Sequence, residues 1–185
     1  MSITANSSMD ISASVYSLNI YKKILSEIKP YGYWKTLEKI THLISCLPVY
    51  MFDKSGAIKE WSMNEYKENN AHRHISHLYC AWPSSETQHN HALASACRQA
   101  IINRNRKNTG KDDTASHGWI HKALVEARLK NPEAVYNTLL LLFKSDIFYN
   151  TFFTDHNTDR SKGVFCKDTC IRIVGIISVI LGYSY

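Results

Sequence analysis

The 185-residue chain has an odd number of cysteines, five, and no CxxC pair among them. Cys46, Cys80, Cys97, Cys166 and Cys170 therefore give neither a disulfide framework nor a zinc ribbon. Long apolar runs are missing too. The most apolar stretch, residues 171–181, is interrupted by Arg172 and falls short of the roughly 20 residues a membrane-spanning helix needs. Residues 1–8 are small and polar, with neither a basic n-region nor an apolar h-region, so no signal peptide is visible. A glycine-rich phosphate loop, a Gly-x-Ser-x-Gly elbow and a sustained strand–helix alternation are all lacking, which leaves no footing for the common nucleotide-binding and hydrolase α/β folds. Net charge is +6 with a pI near 9.0, yet the densest basic stretch, residues 98–111, holds no aromatic on which a base could stack. A solvated helix end and loop accounts for that run better than a nucleic-acid surface.

What the chain does have is helical periodicity. Its hydrophobic share of 44% and charged share of 21% suit one globular domain with a sizeable core. After Ser8, the residues Ile11, Val15, Leu18, Tyr21, Leu25 and Ile28 recur at threes and fours, widened by Tyr16, Ile20 and Ile24. This predicts a core-facing helix that stops at Lys29-Pro30. Trp34, Leu37, Ile40, Ile44 and Leu47 mark a second helix ending at Pro48, and the short link implies an antiparallel hairpin. Residues 49–61 carry an Asp-Lys-Ser-Gly turn signal and read as a loop or short hairpin that delivers Glu60 and Trp61. Helices are expected again over 91–102, with Leu93, Cys97 and Ile101 inward, and over 117–129, with Ile120, Ala123, Leu124 and Ala127 inward. A further one starts from the cap-and-proline pair Asn131-Pro132, with Val135, Tyr136, Leu139, Leu140, Leu142 and Phe143 as a wide apolar face. Residues 103–116 read as a basic loop. Residues 146–167 read as a long irregular segment, ordered by aromatics, that holds Asp155, His156, Asn157 and Asp159. The run after Asp168 fits a buried strand or a buried helix, and helix agrees with the rest. The expected fold is all-α, about six helices in successive antiparallel hairpins, a toroid or barrel with its polar clusters at the loop end.

The most unusual stretch is residues 71–83, which contains His72, His74 and His77, with Arg73, Tyr79, Trp82 and Pro83. Imidazole and guanidinium groups supply several donors and an acceptor at neutral pH, and aromatic rings supply flat apolar faces. That inventory suits a polar, ring-shaped, hydroxyl-rich ligand. For any one histidine, local capping and pairing is an equally good account. Metal binding with Cys166 and Cys170 is a weak reading, and neither a metal nor a cofactor is expected.

Several motifs in order, Gly56-Ala-Ile-Lys-Glu60-Trp61, His72-Arg73-His74-Ile-Ser-His77-Leu-Tyr79, His117-Gly-Trp119 and Ala127-Arg-Leu-Lys-Asn, then Thr154-Asp155-His156-Asn157-Thr158-Asp159-Arg160 and Asp168-Thr169, resemble glycoside hydrolase family 95. Met9-Asp10 matches the family's Met-Asp pair at the start of a barrel helix. The resemblance implies an inverting glycosidase acting on α-L-fucosides or related α-galactosides, built on an (α/α)6 barrel with β domains on either side. Residues 1–185 then correspond to a later part of that barrel, with the N-terminal β domain, the first barrel helices and the C-terminal β domain outside them. It also implies that the glutamate general acid and the water-holding asparagines lie upstream of Met1, that Asp168 is the catalytic base, and that Arg73 and His74 contact substrate. Trp119 or Trp61 would offer the ring an apolar face; the bland alternative for both is core. Glu60 would support Arg73 or stand in for the acid, and His156 is a further binding candidate or part of a surface turn. For Asp168, a helix N-cap is the competing reading. Many members carry Asp-Gly-Asn at the base, where this chain has Asp168-Thr169-Cys170, and Arg172 takes a place that is glycine in others.

Inverting hydrolysis needs two carboxyl groups roughly 6.5–9.5 Å apart with a water between, so Glu60, Arg73, His74, Trp119 and Asp168 are expected to converge. The expected partner is a fucosylated glycan, not nucleic acid or membrane, and a separate chain carrying the missing half of the barrel is a candidate partner. Family members are often extracytoplasmic. The alternatives are a catalytically inactive carbohydrate-binding or decayed helical module, and a helical interaction protein with structural histidines.

Overall fold

The computed structural model describes residues 5–107 and 116–144, together with the backbone of two short antiparallel strands, β1 (Thr154–Asp155) and β2 (Phe165–Cys166). The described residues form five α-helices: α1 (Ser8–Ile28), α2 (Tyr33–Cys46), α3 (His91–Lys107), α4 (Ser116–Arg128) and α5 (Pro132–Lys144). The fold is all-α, with α1 packed on α2 and α4 on α5 as helical hairpins. Among the described residues no helix is long and apolar enough to cross a membrane. The expected helix after Asp168 lies outside them.

Local chemistry sets the helix limits. Ser7 caps α1, its hydroxyl accepting the Asp10 N–H at 3.0 Å and satisfying a donor that the first turn leaves open. At the other end Lys29 adopts a left-handed conformation (φ 48°) and donates its N–H to the Leu25 carbonyl ahead of Pro30. Gly32, at φ 76°, then turns the chain into α2. Asn131 caps α5, its side chain accepting the Ala134 N–H at 3.3 Å.

The apolar stripes of the hairpin helices are only partly covered. On α1, Ile11 and Leu25 are buried while Ile20, Tyr21, Ile24 and Ile28 are exposed; on α2, Ile40 is buried while Trp34 and Leu43 are exposed. The wide apolar face expected on α5 is likewise split: Val135 and Leu142 face the core, and Tyr136 and Phe143 face out. Periodicity marks which residues share a face, and coverage depends on a partner reaching it.

Residues 49–61 form the expected short hairpin-like loop. Asp53 Oδ1 accepts from the Ser55 N–H, the Ser55 hydroxyl and the Ala57 N–H at 2.6–3.0 Å, and Phe52 bridges to Ile58. Although desolvation works the other way, these hydrogen bonds hold the Asp53 carboxyl below its ordinary pKa. The loop's end is tied to the start of α1: Ser8 donates its N–H to the Glu60 carbonyl at 2.9 Å and its hydroxyl to the Lys59 carbonyl at 2.6 Å.

The larger core cluster joins Ala57, Ile58, Ile75, Leu78, Cys80 and Ala81 to Leu93, Cys97, Ala100 and Ile101 of α3 and Val125 of α4. The smaller one joins Ile120, Ala123 and Leu124 of α4 to Val135 and Leu142 of α5, with Trp82 packed against both. The second half of the histidine-rich stretch is therefore core. A 3-10 turn, Ser76–Cys80, buries His77, Leu78 and Cys80, and Tyr79 meets Tyr16 of α1 edge-on. The basic segment also departs from expectation. Helix α3 continues to Lys107 in place of a loop from 103, and its Arg104 is 4% exposed. The helix persists because that guanidinium finds acceptors in the interior.

Candidate functional site

The first half of the histidine-rich stretch, by contrast, reaches a cleft. The chain bends at Arg73, and His72, Arg73 and Ile75 line one side of a cavity of about 160 Å³. Ile101, Arg104 and Asn105 from the end of α3, Gly118, Trp119 and Lys122 from the start of α4, and Thr138 and Leu141 of α5 complete it. Trp119 is half-buried, with one part against the smaller core and another on the cleft, so it serves both as core and as a wall. Burial pulls the Lys122 pKa below its ordinary value, partly offset by Glu126; its ammonium donates to Asn105 Oδ1 at 2.8 Å. Gly118, in the expected motif with Trp119, is buried. The cleft thus brings the donors of His72, Arg73 and Lys122 and the indole of Trp119 to one lining.

Glu60 borders a second cavity, of about 200 Å³, with Ser7, Met9, Asp10, Trp61, Ser76 and His77. Its carboxylate accepts from Arg104 Nη2 at 3.1 Å, so the Glu60–Arg104 pair stands between the two cavities. The backbone N–H of Glu60 donates to Glu68 Oε2 at 2.8 Å. Burial, with the Glu60 charge adding to it, raises the Glu68 pKa, and the hydrogen bond from Glu60 N–H works against that rise. Trp61 meets Tyr66 edge-on at 5.7 Å between ring centroids, which leaves it beside the second cavity and away from the first.

Among the expected site residues, then, Arg73 and Trp119 share one cleft. His74 joins them through its backbone, its carbonyl accepting from Arg104 Nη1 at 2.6 Å, and its ring packs edge-on against that of His72 at 4.9 Å. Glu60 is linked to the cleft through Arg104, a residue the sequence reading counted within a solvated basic run. Its signal was there in part: Arg104 follows Cys97 and Ile101 at helical spacing. Asp168 and His156 lie outside the described residues. His77 is buried in the core, with no cap or pair at Nδ1. It is 2% exposed, and burial, helped by the Arg104 and His121 charges, holds its pKa down to about 3. Among the described residues no three His, Cys, Asp or Glu side chains gather as a metal site would require.

Helical hairpins, with His72, Arg73 and Trp119 on a small cleft where a loop meets helix ends, define an all-α protein. The chain belongs to glycosyl hydrolase family 95, whose catalytic-domain model matches residues 1–175; that catalytic domain is an (α/α)6 barrel, and the hairpins here are part of one. A curated relative, "Probable alpha-fucosidase A" of Aspergillus oryzae (strain ATCC 42149 / RIB 40), is 27% identical over 129 residues. The match covers 66% of this chain and 18% of that protein, so the chain spans less than a fifth of the relative's length.

Proposed function

We propose that the chain supplies the sugar-contacting and general-base part of an inverting glycoside hydrolase that acts on α-L-fucosides. The observation that carries this reading is Arg73 and Trp119 on one cleft within a family-95 catalytic domain. The name of the fungal relative supports the choice of fucoside. Arg73 orients sugar hydroxyls, Trp119 gives the ring an apolar face, and Asp168 deprotonates the attacking water on the side opposite the leaving group. His74, Glu60 and His156 support the bound sugar.

Family resemblance assigns the general acid to polypeptide outside these 185 residues, so hydrolysis needs both portions, in one chain or two. The exposed apolar residues of α1 and α2, Ile24, Ile28, Trp34 and Leu43, are suited to cover by further barrel helices. The test is release of an aryl group from an aryl α-L-fucoside, by residues 1–185 alone and joined to the preceding portion of the domain. Turnover only in the joined protein, abolished by Asp168→Asn, is the expected result. Turnover by residues 1–185 alone would overturn the division of labour. Fucose binding by a joined protein without turnover would favour the alternative reading, a carbohydrate-binding module.

A further inference from the structure

The cleft is bordered by a residue whose guanidinium is turned to the protein's own acceptors, two backbone carbonyls and one carboxylate. Arg104, in the last turns of α3, is 4% exposed. Its Nη1 donates to the His72 carbonyl at 2.9 Å and to the His74 carbonyl at 2.6 Å, and its Nη2 to Glu60 Oε2 at 3.1 Å. The two carbonyls stand one on each side of Arg73, where the chain bends. The third acceptor is anchored separately, because the Glu60 carbonyl takes the first N–H of α1.

We infer that Arg104 is a positioning residue: by gripping the carbonyls on either side of Arg73 it fixes the bend that presents Arg73 to the cleft facing Trp119. A guanidinium is suited to this, since its planar fork holds several acceptors in fixed directions, whereas a lysine ammonium is a single point of charge on a flexible stem. Both protons of Nη1 are used on the backbone, so the two carbonyls are held at a set separation. Loop segments do not otherwise keep such a geometry, because they lack the ladder of hydrogen bonds that a helix or sheet supplies. The Glu60 carboxylate offsets the buried charge and sets the rotation of the fork.

This role rests on the proposed sugar site, and its test separates the two. The full chain is titrated with L-fucose by ligand-observed NMR, and amide hydrogen exchange is measured on the free protein. Arg104→Lys is expected to keep the wild-type helical circular dichroism, to weaken fucose binding about tenfold, and to speed exchange about tenfold at residues 73–76 with α4 and α5 unchanged. Arg73→Gln should weaken binding comparably, and the double variant should bind no worse than the weaker single one, since Arg104 acts through Arg73. Additive losses, or exchange at 73–76 unaltered by Arg104→Lys, would overturn the inference. Should Arg104→Lys fail to fold, Glu60→Gln weakens one of the three bonds, and exchange at 73–76 should still rise; no rise counts against the inference. Absence of fucose binding by the wild type overturns the sugar site and the functional part of this role, and the exchange data then decide whether Arg104 sets the bend.

Discussion

Glu60 Oε2 and Arg104 Nη2 lie 3.1 Å apart although 44 residues separate them in the chain. The arginine side is 4% exposed and the glutamate side 17%, so water screens the pair poorly. Removing one partner of such a pair leaves the other charge in a poor solvent, which is worse than replacing both. Glu60→Ala should therefore destabilise the protein by about 3 kcal/mol. Glu60→Gln, which keeps an acceptor, should cost about 1 kcal/mol. Urea unfolding with an unchanged m-value is the measurement, and equal losses for the two variants would speak against the charge pairing.

His77 gives a prediction in pH. Its pKa in the folded protein, about 3, lies below the ordinary 6.5, so between those values the unfolded chain binds a proton that the folded one refuses. Stability from this residue is complete above pH 6.5 and is lost as pH falls towards 3, by up to about 1.4 kcal/mol per pH unit. The raised pKa of Glu68 and of Glu126 acts with the opposite sign above their ordinary range. Comparison with His77→Gln cancels their effect. The stability difference between wild type and this variant should shrink on acidification, and a constant difference from pH 7 to pH 4 would count against the buried neutral imidazole.

Cys80 and Cys97 are fully buried with their sulfurs 3.5 Å apart, while Cys46 is exposed. Their mutual hydrogen bond and burial push the Cys80 thiol well up, and only a thiolate reacts readily. Iodoacetamide should therefore label Cys46 rapidly in the native protein, and Cys80 and Cys97 at least about a hundredfold more slowly until denaturant is added. Peptide mass mapping over a time course reads this directly.

Helix α5 provides a matched pair of substitutions. Leu142 is fully buried and Tyr136 is 64% exposed. Leu142→Ala should cost about 2–5 kcal/mol through the cavity it leaves, and Tyr136→Ser about 0.5 kcal/mol or less. Thermal unfolding of the two variants against wild type tests which face of α5 is inward.

Much of the fold was legible in the sequence because its causes are local. A proline after Lys29, the Asp53 turn and the Asn131-Pro132 start each act within a few residues, and the helix limits beside them followed from them, whereas the Ser7 cap and the extension of α3 to Lys107 came from the structure. The order of the His-Arg-His, Gly-Trp and Glu-Trp motifs was enough to indicate the family, because a motif is a string of neighbours. It also placed Arg73 and Trp119 together, through the barrel that the family implies.

Other features depended on contacts between distant parts of the chain. Periodicity grouped Ile20, Ile24, Tyr136 and Phe143 with buried residues on α1 and α5, but whether a stripe is covered is decided by what packs against it. The histidine-rich stretch read as one cluster, yet it divides at Ile75: Arg73 reaches a cleft, while His77 and Leu78 enter the core because the 3-10 turn rotates them inward. Arg104 looked like one more charge in a basic run. Burying a guanidinium is favourable only where acceptors converge on it, and those acceptors come from residues 60, 72 and 74, more than a quarter of a hundred residues away. The sequence alone determined the order of the five described helices and the family; the convergence of long-range acceptors on one side chain, a property of the packed chain, decided where the Arg104 guanidinium is buried.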